Sequence, residues 1–184
     1  MLLPPSSNDP AAAVLASISH TFRSYKTLAD RALAQLTPAQ WLATPSAQSN
    51  SVAVLVQHMV GNLRSRFTDF LTSDGEKPTR QRDQEFEQPA TAAALPAQWE
   101  AAWQILFDVL DHLAPADLLR TVYIRGEAHT VLLALQRQVA HYAYHVGQIV
   151  QLAREWRGAE WQTLSIARGQ SEVFNAHMRA QANH

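Results

Sequence analysis

Val139-Ala140-His141-Tyr142-Ala143-Tyr144-His145-Val146-Gly147-Gln148-Ile149-Val150 lies in the middle of a long periodic stretch. Apolar residues recur at Val131, Leu135, Val139, Tyr142, Val146, Ile149 and Leu152, the spacing of one helix face. The pattern predicts a helix from about Glu127 to Trp156. Histidines at i and i+4 project only about 40° apart on such a helix, so His141 and His145 can converge on one point beside an apolar stripe.

Three further long helices are predicted on the N-terminal side. Val14, Leu15, Ile18, Phe22, Tyr25, Leu28, Ala32 and Leu36 mark the first, from Pro10 to Leu36, with Asp9 as N-cap and Pro10 at its first position. Thr37-Pro38 ends it, and residues 38–50 read as a connector containing Trp41 and Pro45. The second opens at Asn50 or Ser51, carries Val52, Leu55, Val56, Met59, Leu63, Phe67 and Phe70, and stops before the Asp74-Gly75 turn signal. The third covers about residues 95–113 with Trp99, Trp103, Leu106, Val109 and Leu110. Arg64 to Glu87 holds five basic and six acidic residues in 24 positions, the density of a solvated loop. Leu118 to Arg125 is β-branched but too short to found a sheet alone, and reads as an ordered connector. A short helix is expected near Ser171–Arg179. The class is therefore all-α, a helical bundle with an extra short C-terminal helix.

Composition narrows the function. The 184 residues suit one domain, taken as 10–184 after a disordered leader at 1–9. Fifteen Lys+Arg against 16 Asp+Glu give no field of one sign to steer the chain to nucleic acid or an anionic membrane. No run approaches the roughly 18 apolar residues that span a bilayer, and the first residues lack a secretion signal, so a cytoplasmic protein is expected. With no cysteine there is no disulfide, zinc ribbon or cysteine nucleophile. A metal site has to use His, Asp or Glu.

His58 adjoins the core positions Leu55 and Met59 of the second helix, and poses the same problem as His141 and His145: an imidazole near a core needs a partner. Three neutral nitrogens from two helices would make a metal site with open positions. The competing reading, that each ring only hydrogen-bonds a tyrosine or a carbonyl, stays open at this point. His-Glu-x-x-His, Glu-x-x-His and phosphate-loop motifs are absent from the sequence.

His58 together with His141-x-x-x-His145 resembles the histidine triad of the DinB/YfiT-like metal-binding four-helix bundles. The strings Gln57-His58-Met59-Val60-Gly61-Asn62-Leu63-Arg64-Ser65-Arg66, His141-Tyr142-Ala143-Tyr144-His145-Val146-Gly147-Gln148 and Leu164-Ser165-Ile166-Ala167-Arg168-Gly169-Gln170-Ser171 are similar to a subfamily of unknown function, although Ala167 stands where proline is common. The resemblance covers about residues 15–177. It implies an up-down-down-up four-helix bundle, a divalent metal on His58, His141 and His145, and a homodimer. Zinc or nickel comes first, with iron, manganese or copper also compatible. It further implies a thiol-S-transferase using a bacillithiol-like thiol, which must arrive as a cosubstrate because the chain has no cysteine. Arg64, Arg66, Arg80 and Arg82 are the expected partners for the carboxylates of that thiol, with internal salt bridges to Asp69, Asp83, Glu85 and Glu87 as the bland alternative. Asn62, Arg66 and Tyr144 are candidate catalytic residues: Asn62 to orient a ligand, Arg66 to reach the pocket mouth, Tyr144 to give a proton. The rivals are a metal-dependent hydrolase, for which Glu127 is a weak candidate base, and a non-catalytic metal-binding or stress-response bundle.

Overall fold

Side-chain caps and prolines set where the helices begin. The computed structural model describes residues 9–182, so residues 1–8 of the expected leader lie outside it. The Asp9 carboxylate accepts the Ala11 N–H at 2.9 Å and Pro10 occupies the first helical position, opening α1 (Pro10–Leu33). Thr37 and Gln40 form a capping box at the start of α2 (Pro38–Leu42), a short helix inside the expected connector that seats Trp41 in the core. Ser51 Oγ accepts the Val54 N–H at 3.2 Å to open α3 (Val52–Phe67). Then follow α4 (Leu95–His112), β1 (Thr121–Ile124), β2 (Glu127–Thr130), α5 (Val131–Arg157) and α6 (Ser171–Ala182). No helix among the described residues is long and apolar enough to cross a membrane.

The described chain is mostly helical, with one small sheet. Each of the four long helices packs mainly against two others: α1 against α5 and α4, α3 against α4 and α5. Helix α3 is the innermost. Thirteen of its 16 residues are buried, so the polar ones among them (His58, Asn62, Ser65, Arg66) have to find their partners inside the protein. The aromatic core runs from Phe22 through Tyr142 and Trp103 to Trp99. The Trp99 indole donates to Asp30 at 2.8 Å, while Lys26 bridges Asp30 at 2.6 Å and Glu100 at 2.8 Å, tying α1 to α4.

Three expectations change. Helix α3 ends at Phe67, not near Asp74, because the chain turns through Asp69 in the left-handed region (φ 50°). That turn still buries Phe70, which stacks on Phe67 with centroids 5.4 Å apart, so the apolar rhythm outruns the helix. The Leu118–Arg125 connector is half of an antiparallel hairpin, and residues 127–130 are its other strand, not the first turn of a helix. Thr130 accepts the Leu133 N–H at 3.1 Å, and this cap starts α5 at Val131. The two-residue hairpin turn, Arg125-Gly126, has φ of 58° and 76°, the left-handed pair that a twisted hairpin prefers. Asp74 grips the turn, accepting the Arg125 N–H at 2.8 Å and the Gly126 N–H at 2.7 Å. The charged stretch is the third change: much of it is not a solvated loop but a half-buried ion network folded against α3.

Candidate metal centre

His58 is presented by α3, His141 and His145 by the middle of α5. Their Nε2 atoms meet: 3.3 Å from His58 to His141, 3.0 Å from His145 to His141, with the three ligand atoms within 4.8 Å of one another. Each opposite ring nitrogen is also taken. Nδ1 of His58 lies 2.9 Å from Glu85 Oε2, that of His141 3.3 Å from Gln138 Oε1, and that of His145 2.9 Å from Gln148 Oε1. Carboxylate and amide oxygens only accept, so each Nδ1 carries the proton and donates. In the neutral ring each Nε2 then holds the lone pair, directed at the other two. Three acceptors this close repel unless a cation lies among them, and ligands at about 2.0–2.1 Å around a tetrahedral zinc would themselves stand roughly 3.3 Å apart. The group can hold a metal ion.

Electrostatics keeps the lone pairs of His141 and His145 free. Burial, reinforced by the neighbouring His145 and His58, pushes His141 down to about 3. Burial also lowers His145 to about 4, opposed by the hydrogen bond with Gln148 and reinforced by His58. Burial works to raise the Glu85 carboxyl, but the Arg80 fork (2.7 Å from Nε to Oε1, 2.8 Å from Nη2 to Oε2) and His58 outweigh it and hold Glu85 below the ordinary carboxylate range. Glu85 is thus an ionised acceptor that fixes the His58 tautomer, the outer partner expected behind a metal-binding imidazole.

A cavity of about 230 Å³ opens on this group. His58, His141, Gln138 and Asn62 line it, with Arg66, Arg80, Arg82, Arg125 and Arg137. Asn62 Oδ1 accepts the Tyr142 hydroxyl at 2.9 Å, and Tyr142, fully buried, is held far above the usual phenol range by that burial. Arg66 donates to the Gly75 carbonyl and to Glu76 at 2.9 Å, and burial depresses its pKa despite Glu76. Arg80 is committed to Glu85 and, at 3.3 Å, to Glu76. Arg82 lies exposed over the Phe86 ring at 5.3 Å.

Three expected residues stand elsewhere. Arg64 faces a different cleft, of about 830 Å³, bounded by Gly61, Ser65 and Glu85 and lined by none of the three histidines. Tyr144 is 61% exposed, its ring beside His145 but outside the cavity lining. Glu127 points to His129, 3.6 Å away, not to the triad. Sequence reasoning missed Glu85 as a partner of His58 and missed Arg125, Arg137 and the two glutamines. The glutamines had a signal, since Gln138-x-x-His141 and His145-x-x-Gln148 are i, i+3 pairs. So did Glu85: Gly61 interrupts α3 one turn after His58 for no turn-forming reason, and a Cβ there would collide with the Glu85 carboxylate.

A family model described as a protein of unknown function (DUF1572) matches residues 9–170, and the chain belongs to that family. No curated protein matches it.

Proposed function

We propose that this protein is a divalent-metal-dependent thiol-S-transferase of the DinB/YfiT-like kind, its four long helices forming an up-down-down-up bundle that acts in the cytoplasm as a homodimer. The observation that carries the reading is the convergence of three Nε2 atoms, each ring with an acceptor oxygen behind its Nδ1. Zinc or nickel is the favoured ion. Bound there, it would supply a Lewis acid that lowers the pKa of a small-molecule thiol at an open position.

The chain's own residues do the rest. Glu85 orients His58, and burial keeps His141 and His145 neutral so that protons do not compete for the site at pH 7. Asn62 has its oxygen occupied by Tyr142, which leaves its amide N–H groups to face a ligand in the cavity. Arg66 shapes the wall and Arg82 stands at the mouth. The thiol comes from a bacillithiol-like cosubstrate: its sulfur forms the new bond to an electrophilic carbon, the leaving group departs with the bonding pair, and the thiol proton passes to water. Hydrolysis is the weaker reading, because Glu85 has both oxygens engaged and the cavity lining contains no carboxylate to serve as base.

Two measurements test the proposal. Metal analysis of protein purified without a histidine tag should find close to one ion per chain, and His141→Ala should lose it; equal content in both removes the premise. The loaded protein should then conjugate monochlorobimane with at least one member of a thiol panel faster than the no-enzyme background. Background rates across the panel would reduce the protein to a non-catalytic metal binder.

A further inference from the structure

Five guanidinium groups face the histidine cavity and only two carboxylates compensate them. One oxygen of Glu76 takes Arg66 at 2.9 Å, Arg80 at 3.3 Å and Arg125 at 3.2 Å, and Glu85 takes the fork of Arg80. Arg82 and Arg137 have no ion pair among the described residues, and Arg125 has only a third share in Glu76. The cavity therefore carries an uncompensated positive charge beside His58 and His141.

These three arginines come from separate elements, and two of them have partners that hold them. Arg82 lies over Phe86, whose own ring tilts against His58 with centroids 4.5 Å apart. Arg137 is one helical turn before His141 on α5. Arg125 occupies the first central position of the hairpin turn at φ 58°, where asparagine or glycine is the easy choice and a long side chain is strained. Asp74 clamps that backbone so that the guanidinium reaches the cavity. Folding alone gives no reason to bring three like charges, at positions 82, 125 and 137, to one mouth.

We propose that this cavity is an oxyanion subsite in which Arg82, Arg125 and Arg137 bind carboxylate or phosphate groups of a small ligand carrying at least two negative charges, beside His58 and His141. Guanidinium forks match both groups. At about 230 Å³, the space holds a small dianion or the charged end of a larger molecule, roughly the bulk volume of seven or eight waters. The inference deepens the thiol-transfer reading and rests on it for one point, that the bound anion is part of the thiol cosubstrate.

The test is calorimetric titration of the full chain, zinc-loaded and metal-free, at fixed ionic strength, with malonate, inorganic phosphate and neutral malonamide as probes. Malonate or phosphate should bind saturably and malonamide should not; the stronger of the two names the source of the oxyanion. Arg82→Gln/Arg137→Gln, both exposed and away from the core, should weaken binding at least tenfold with unchanged metal content, and Arg64→Gln should leave it as it was. Equal affinity in the double variant and the wild type, or a flat titration with both anions, overturns the subsite while leaving the metal reading intact. Anion binding as described in a protein that takes up no metal would instead keep the subsite and remove thiol transfer.

Discussion

The two cavities that share Arg80 in their walls differ in a way that size does not reveal. The larger, about 830 Å³, is bounded by uncharged glutamines, prolines and a scatter of both charge signs. The smaller, about 230 Å³, has arginine walls and two imidazoles whose outer nitrogens face acceptor oxygens. Glu85 lines the larger and, through His58, organises the smaller. Chemistry follows convergence of directed groups, and volume is a poor guide to it.

The largest way to disturb that division is Glu85→Gln. It leaves Arg80 buried with only Glu76 near it, a loss of about 3 kcal/mol as for other broken buried pairs. It also takes the ionised acceptor from His58, and metal affinity should fall about 10–100-fold; chemical denaturation and competition with a chelating dye check the two effects. Unchanged affinity would mean that His58 does not need its carboxylate.

Next comes a methyl group introduced from the side of the larger cavity. Gly61→Ala places a Cβ against Glu85 and should cost about 1–3 kcal/mol by overpacking, although alanine is the better helix former. Gly147→Ala on α5 meets nothing within 4 Å and should instead stabilise by about 0.5–1 kcal/mol. Thermal melts of the pair should move in opposite directions, and movement in the same direction would show that Glu85 is free to step aside.

A separate handle is a pH slope in the metal-free protein. His141 and His145 are held at about 3 and about 4, below the ordinary 6.5, so as pH falls through 6.5 the unfolded chain takes up protons that the folded one refuses. The stability that these two rings contribute is complete above pH 6.5 and declines toward pH 3. Urea midpoints should fall between pH 7 and 5, less steeply in His141→Gln; a flat profile over that range would show rings that protonate freely in the fold.

What was legible in the chain tracks how local its physics is. Four long helices show in residues three and four apart, and the i, i+4 pair His141/His145 shows within one of them. Periodicity placed His58 only beside a core; setting it opposite His141 and His145 took the resemblance, because that meeting depends on how α3 packs on α5. The hairpin stayed hidden because each strand has only four residues and its turn is Arg-Gly, not the familiar Asn-Gly. Glu85 stayed hidden because 27 residues separate it from His58 and the surrounding charge density reads as solvated surface. Among the arginines, position along α3 separated Arg66 from Arg64, but only the folded loop distinguishes Arg80, consumed by carboxylates, from Arg82, left open.

Helix α5 is 27 residues long, about 40 Å at 1.5 Å per residue, and His141 and His145 stand at least ten residues from either end. Helices fray from their termini, so these two imidazoles belong to the last part of α5 to open, and His58 is likewise interior to α3. Glu85 and Arg82 ride on a single 3₁₀ turn and its approach, inside a connector between α3 and α4. The centre thus rests on two kinds of support: helix interiors that set the spacing of its nitrogens, and a single turn within a connector that supplies the carboxylate behind one of them.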